Sequence, residues 1–252
     1  MEQRKQGKGE GKKMAYEELQ RMVDESSKIV FFGGAGVSTE SGIPDFRSVD
    51  GLYHQKYDWP PEEILSHTFF VRHTKDFYRF YRDKMLVLDA RPNPAHLKLA
   101  QWEREGKLIG IVTQNIDGLH RAAGNKKLFE LHGTVYKNYC TEFGKQFGPE
   151  YVLDYPEDIP RCDACGGLIK PDVVLYEEGL DGETLSGAIS AIQRADMMIV
   201  AGTSLTVYPA AGLVRYFGGK HLVLINRDAT PMDRNADLVI RDKVGQVLGS
   251  LQ

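Results

Sequence analysis

Short apolar runs alternate with longer amphipathic stretches along most of this chain. Lys28-Ile29-Val30-Phe31-Phe32 ends in Gly33-Gly34-Ala35-Gly36, which reads as a buried strand entering a glycine turn. Similar runs recur at residues 108–113, 197–202 and 221–226, with shorter ones at 128–131 and 238–240. Between them, residues 95–105, 183–194 and 210–217 carry helical periodicity. Residues 15–27 place Leu19, Met22 and Val23 on one helical face, with Tyr16 nearby. Alternating buried strands and helices predict an α/β fold with a mainly parallel sheet.

Two regions interrupt this alternation. Residues 44–92 are rich in aromatic and charged side chains, including Tyr53, Tyr57, Trp59, Phe69, Phe70, Phe77, Tyr78, Phe80 and Tyr81. Residues 136–180 hold all three cysteines and several Pro and Gly. Both read as insertions at the carboxyl ends of strands, where open α/β sheets bind ligands. Residues 1–13 lack an apolar stretch and hold Arg4, Lys5, Lys8, Lys12 and Lys13 against Glu2 and Glu10, which predicts a disordered basic tail and no secretory signal.

Composition narrows the classes. With 252 residues, 42% of them hydrophobic, the chain has enough apolar material for a core and is not disordered. Its 32 basic and 35 acidic residues are too balanced for a nucleic-acid-coating protein. Three cysteines cannot form a closed disulfide framework. No run of eighteen apolar residues predicts a membrane span. A cytoplasmic location is expected.

The turn at residues 33–38 supplies two glycines of the dinucleotide pattern G-x-G-x-x-G, Gly34 and Gly36, but Thr39 stands at the third position. Alone it reads equally as a tight strand–helix connection. The continuation is more specific. Residues 33–47 read GGAGVSTESGIPDFR, followed by TQNIDGLH at 113–120, LHG at 131–133, KPDVV at 170–174, GTSL at 202–205 and Ile225-Asn226. In order and spacing these resemble the signatures of the sirtuin family, of bacterial type, from about residue 14 to the end of the chain.

The resemblance implies a Rossmann-like domain with a smaller domain built from two insertions, about 44–92 and 136–180, within a catalytic domain spanning 14–252. It also implies an NAD-dependent protein-lysine deacylase. Ala35, Gly36 and Thr39 match the pyrophosphate turn, where backbone N–H groups meet phosphate oxygens. Asp45, Phe46 and Arg47 match the loop that closes over NAD. Ile116 and Asp117 match the nicotinamide pocket, Asn115 the residue that holds an ordered water and the ribose, and Gln114 a further cofactor-binding position beside them. Gly202, Thr203 and Ser204 match phosphate and ribose contacts, Asn226 the adenosine ribose, and Val244 a position near the adenine. His132 matches the catalytic base and also touches the cofactor. Val173, Leu175 and Tyr176 match the strand that pairs with the substrate peptide. The family often has Phe-Gly-Glu where this chain has Tyr176-Glu177-Glu178.

The expected reaction removes acetyl or other uncharged acyl groups and yields nicotinamide and O-acyl-ADP-ribose. Desuccinylating sirtuins carry Tyr-x-x-Arg in the acyl pocket. Here Tyr78 is followed by Tyr81, and Tyr81 by Lys84; Arg79 and Arg82 read as a solvated helix face. The partners implied are acylated-lysine proteins, with no membrane and no specific nucleic acid. ADP-ribosyl transfer to protein and a non-catalytic NAD-binding module use the same pocket and stand as alternatives. A dehydrogenase fits less well because of Thr39.

Sirtuins usually hold structural zinc with two Cys-x-x-Cys pairs. Cys162 and Cys165 form one; Cys140 has Phe143 where its partner would stand. The fourth position falls to water, to Glu142 or Asp163, or to nothing. Without metal, Phe143 is expected to fill the gap with Phe147.

Overall fold

The computed structural model describes the backbone of residues 2–45 and 58–252, and the side chains of residues 11–45 and 58–252. Phe46, Arg47, Tyr53 and Tyr57 lie outside the described residues.

Strands β1 (Ile29–Gly33), β2 (Leu108–Thr113), β3 (Leu128–Glu130), β7 (Met197–Ala201), β8 (His221–Ile225) and β9 (Leu238–Ile240) form a parallel sheet in the order β3-β2-β1-β7-β8-β9. Side chains alternate across β1. Ile29 and Phe31 face one core, Val30 and Phe32 the other. The first core is covered by α1 (Glu2–Glu25), α5 (Pro94–Arg104) and α9 (Val244–Gly249). The second is covered by α8 (Gly182–Arg194) and the helical segment Ala210–Tyr216, which winds as a 3-10 helix, as short helical pieces often do.

Helix α1 runs through residues 2–13, where the sequence predicts a disordered tail. Lys, Arg, Gln and Glu are strong helix formers, so a segment too polar to build a core can still extend an anchored helix. Lys12, near the base of that extension, forms an ion pair with Asp242 far along the chain.

Helices α2 (Pro61–Ile64), α3 (His67–Arg72), α4 (Thr74–Phe80) and α7 (Pro149–Leu153) surround a second sheet of β4 (Gly133–Cys140), β5 (Gln146–Phe147) and β6 (Ile169–Val173), ordered β5-β4-β6 and antiparallel. Phe69, Phe70, Phe77, Tyr78 and Tyr81 from the first irregular region share a third core with Val135, Val152, Ile169 and Val173 from the second. Arg82 is not on a solvated face. Its guanidinium donates to the carbonyls of Val152, Glu157 and Asp158 and so clamps the two regions together, while Arg79 is exposed.

Asn93 caps α5 by accepting from the Ala95 N–H, while His96 Nδ1 accepts from the Asn93 N–H. The Asn93 amide also donates to the Val37 carbonyl at 2.7 Å and to Ser41 Oγ at 3.0 Å, tying the helix cap to the glycine turn. His96 packs on His120 from the short helix α6 (Leu119–Ala122), ring centres 4.7 Å apart, and both rings are buried. Burial pushes His96 down to about 4 and His120 well below the ordinary histidine range. Both are therefore neutral when folded and protonate on unfolding below about pH 6.5. Stability should be full above that pH and fall as pH drops toward 4, with His96 alone contributing about 3 kcal/mol of loss. Urea midpoints between pH 8 and 4.5 check this. A flat profile, or one unchanged by His96→Leu, would contradict it.

Candidate active site

A cleft of about 460 Å³ opens at the carboxyl ends of the parallel strands and runs between the two sheets. Its floor is made by the turns after β1 and β7. Gly36 N–H donates to the Gly202 carbonyl at 2.8 Å. A Cβ at Gly36 would sit 2.7 Å from Gly202 Cα, and one at Gly202, where φ is 60°, would sit 2.4 Å from Val37 N. Two backbones this close require glycine on both sides.

Beside that floor, the segment after β2 carries a bonded set. Ser38 Oγ donates to Asp117 Oδ2 at 2.6 Å and accepts from Asn115 Nδ2 at 3.0 Å. The Leu119 N–H donates to Asp117 Oδ1 at 2.9 Å. Burial lifts the Asp117 carboxyl above its ordinary range, against these bonds. Gln114 Nε2 donates to Thr203 Oγ1 at 3.2 Å, so the turns after β2 and β7 are also joined.

His132 sits between β3 and β4 on the cleft wall. Its Nδ1 lies 2.9 Å from the Gln114 carbonyl. A carbonyl can only accept, so Nδ1 carries the proton and Nε2 keeps its lone pair. Burial lowers the His132 pKa, partly opposed by the Gln114 bond, which keeps the ring neutral and basic at neutral pH. The Val174 N–H donates to the His132 carbonyl at 3.0 Å, so the strand carrying Val173 is fixed against the histidine.

Strand β6 is the edge of its sheet, and Val173, Leu175 and Tyr176 line the cleft. Glu177 holds φ at 76°, a conformation glycine takes freely. Its carboxylate accepts from Thr68 N at 2.8 Å and Thr68 Oγ1 at 2.7 Å. Glu178 is bound by Lys170 at 3.1 Å, His67 at 2.9 Å and the Leu175 N–H at 2.9 Å. The two acidic side chains that replace Gly-Glu are thus engaged by α3 and β6.

Ala35, Gly36, Thr39, Asp45, Gln114, Asn115, Ile116, Asp117, His132, Gly202, Thr203, Ser204, Asn226 and Val244 all line this one cleft. Asp45 approaches Arg227 at 3.8 Å. Sequence reading gave no role to Ser38, although it stands inside the quoted motif; only the fold brings its hydroxyl to Asp117. Arg227 and Asp242 also line the cleft without a distinguishing sequence signal.

The sulfurs of Cys140, Cys162 and Cys165 lie within 4.8 Å of one another, with Cys140 and Cys165 at 3.5 Å. Sulfurs around tetrahedral zinc stand about 3.8 Å apart, given a Zn–S bond of about 2.3 Å, so the trio fits this metal. A Cβ on Gly167 would fall 2.5 Å from Glu142 Cγ and about 3 Å from both Cys140 Sγ and Cys165 Sγ, so glycine keeps the cradle open. Phe143 does not fill the fourth position: its side chain is 57% exposed, while Phe147 packs on Tyr151 at the third core. The backbone turns Phe143 outward, where a Phe ring gains nothing by crowding three thiols. Asp163 Oδ1 lies 3.9 Å from Cys162 Sγ and is also held by Lys145 at 2.6 Å, while the Glu142 side chain passes beside Gly167 at the edge of the trio.

A parallel α/β sheet with interlocked glycine turns, a buried carboxylate and a neutral histidine defines a Rossmann-like protein with its site at the strand ends. The chain belongs to the Sir2 family, whose signature matches residues 34–209. The NAD-dependent protein deacetylase of Clostridium acetobutylicum is 60% identical over 92% of this chain and 95% of its own length. That of Cutibacterium acnes is 51% identical over 95% and 98%. A solved Sir2 variant with a deacetylated p53 peptide and 3′-O-acetyl-ADP-ribose superposes with a TM-score of 0.85 at 40% identity, covering 92% of this chain and 95% of that one. A Sir2 protein bound to a propionylated peptide gives a TM-score of 0.82 at 39% identity, covering 92% and 94%.

Proposed function

We propose that this protein is an NAD-dependent protein-lysine deacetylase acting within a catalytic domain of residues 14–252, with small-domain insertions at about 44–92 and 136–180. The observation that carries the reading is His132, neutral, proton on Nδ1 and Nε2 basic, in the wall of a cleft whose floor is the glycine turns.

NAD lies with its pyrophosphate on the turn of Ala35, Gly36 and Thr39 and against Gly202, Thr203 and Ser204. Asn226 takes the adenosine ribose and Val244 faces the adenine. Ile116 and Asp117 hold the nicotinamide carboxamide, and Gln114 and Asn115 its ribose. Ser38 fixes the Asp117 carboxylate so that it can accept from the amide. Asp45, with Phe46 and Arg47, belongs to the loop that covers the cofactor. The acetyl-lysine peptide joins the edge of β6 along Val173, Leu175 and Tyr176. The acyl oxygen attacks C1′ of the nicotinamide ribose and nicotinamide leaves. His132 Nε2 then takes a ribose hydroxyl proton, and that oxygen attacks the acyl carbon; the lysine nitrogen is protonated, its bond to the acyl carbon breaks, and one water adds to that carbon to free the ester. The products are lysine, nicotinamide and O-acetyl-ADP-ribose. The site of action is the cytoplasm; among the described residues no helix is long and apolar enough to cross a membrane.

Cys140, Cys162 and Cys165 would hold a structural zinc, with water or one of the carboxylates Glu142 and Asp163 as the fourth ligand; the metal would cross-link the small sheet and take no part in the reaction. Metal analysis should find one zinc per chain, lost in Cys162→Ser. A metal-free chain with full thermal stability would reject the site.

Tyr78 and Tyr81 are buried in the third core and do not line the cleft. Arg227, beside Asn226, is the arginine among the described lining residues, and Lys84 is paired with Asp83 at 3.1 Å. Among the described residues, no arginine is therefore presented near Met85 and Val87 to bind an acyl carboxylate. On one peptide carrying acetyl-lysine or succinyl-lysine, deacetylation should be the more efficient, with O-acetyl-ADP-ribose formed in step with NAD use. Faster desuccinylation would overturn the acyl assignment. ADP-ribose appearing on protein in place of O-acetyl-ADP-ribose would overturn the reaction.

A further inference from the structure

The residues before Ala15 lie outside the segment matched by the Sir2 family, and the proposed reaction uses none of them. Helix α1 nevertheless touches a residue of the cleft wall, Asp242. Asp242 lines the cleft just ahead of α9, two residues before Val244. Its carboxylate is gripped from behind. Tyr16 Oη donates to Oδ2 at 3.0 Å, and the Lys12 ammonium contacts the same oxygen. The Lys243 N–H donates to Oδ1 at 2.9 Å. The Gln246 amide, one turn along α9, finds both partners when its nitrogen is assigned to the side of Asp242 Oδ1 and its oxygen to the side of Lys12 Nζ, each at 3.2 Å. Lys12 Nζ also sits 5.5 Å over the Tyr16 ring. From the other side, Glu40 of the glycine turn accepts from the Gly245 N–H at 2.5 Å. The turn that leads into α9 is thus pinned between α1 and the phosphate turn.

This arrangement answers an electrostatic problem. A dinucleotide brings two phosphate charges to a cleft with a carboxylate in its wall. Partial burial works to raise the Asp242 pKa, but Lys12 and the backbone and Tyr16 bonds hold it below the ordinary range, so the group is charged at neutral pH. Without a counter-charge it would repel the ligand. Without fixed donors it could rotate into the space beside Val244.

We propose that Lys12 and Tyr16 are positioning residues for the dinucleotide, acting through Asp242 to neutralise and hold the adenosine end of the cleft. The proposal rests on the reading that Val244 faces the adenine. The role gives the N-terminal extension of α1 a function in cofactor affinity and none in the chemical step.

The test uses the full chain with ADP-ribose as the probe, measured by calorimetry, alongside steady-state kinetics. Lys12→Ala should weaken ADP-ribose binding about threefold to fivefold, the range of a well-placed, partly exposed ion pair. Lys12→Ala combined with Tyr16→Phe should weaken it further. KM for NAD should rise by the same factor, with kcat and the KM for acetyl-peptide unchanged. The loss should shrink as salt is raised. In an Asp242→Asn background, removing Lys12 should have no added effect, a coupling that general loosening of the fold would not give. Unchanged ADP-ribose affinity in the double variant, or equal losses for peptide and ADP-ribose, would overturn the proposal. Failure of the unaltered chain to bind ADP-ribose would reject the dinucleotide reading and this proposal together. ADP-ribose binding without deacetylation would sink only the reaction.

Discussion

His132→Ala should give a folded protein that binds NAD and acetyl-peptide and turns over about 10²–10⁴-fold more slowly, the usual worth of a positioned acid–base group. The site explains why. The Gln114 carbonyl fixes which ring nitrogen carries the proton, so Nε2 is the one available base atom on this side chain. Burial keeps the ring neutral, so the base form is already present at neutral pH and activity should not fall until the solution is acid enough to protonate it. The ring is not a pillar of either large core, and its removal leaves the Val174–His132 backbone bond in place. The loss should therefore appear in kcat, with little change in thermal midpoint. Because nicotinamide leaves before the histidine acts, the variant should still exchange labelled nicotinamide into NAD. A variant with wild-type turnover would remove His132 from the reaction. One that also lost nicotinamide exchange would place it in an earlier step.

Gly133→Ala, one residue on, should act through structure. Gly133 has φ of 74°, and a Cβ there would fall 2.0 Å from the Asp172 carbonyl oxygen and 2.9 Å from its carbon. Neither backbone can yield without opening the Gly133–Val173 pairing of β4 with β6. The left-handed conformation costs about 1–2 kcal/mol for an alanine, and the collision adds to it. A total near 3 kcal/mol should lower the thermal midpoint by about 10 °C in a domain of this size. Activity should drop as well, since the peptide edge and the histidine share this joint. Gly144 supplies the control. It has the same φ of 74° but nothing within 4 Å of its Cβ position, so Gly144→Ala should show the conformational cost alone. Equal effects at the two glycines would mean that the close approach at Gly133 has no consequence.

The central strands were readable because they are buried on both faces and appear as near-continuous apolar runs; residues 108–113 form a strand over that same span, and the half-buried edge strand 238–240 also matches its short run. Residues 2–13 misled because a low-apolar, charged segment reads as a tail, whereas its helix formers continue the packed helix that follows, and Lys12 meets Asp242 across the chain. Arg82 misled for a related reason. Helical periodicity places it beside Arg79, but only the docking of residues 149–161 supplies the three carbonyls that engage it. Local chemistry was legible where residue type and turn coincide, as at Gly36 and His132. It was not legible where the working contact joins distant segments, as between Ser38 and Asp117 or Tyr16 and Asp242.

The strand order has a consequence for synthesis. Strand β1 lies in the middle of the sheet, yet its neighbour β7 begins at Met197, after the whole second sheet has been made. On the ribosome, the first half of the chain can pair β1 with β2, and β2 with β3, but leaves the other edge of β1, with Ile29, Val30, Phe31 and Phe32, open until then. A nascent chain stopped near residue 180 therefore presents an apolar, unpaired strand to its surroundings, the kind of edge that recruits chaperones or other unfinished chains. Completion of the central pair, and with it the interlock of Gly36 with Gly202, falls late in translation, and the cofactor floor is among the last parts of the protein to exist.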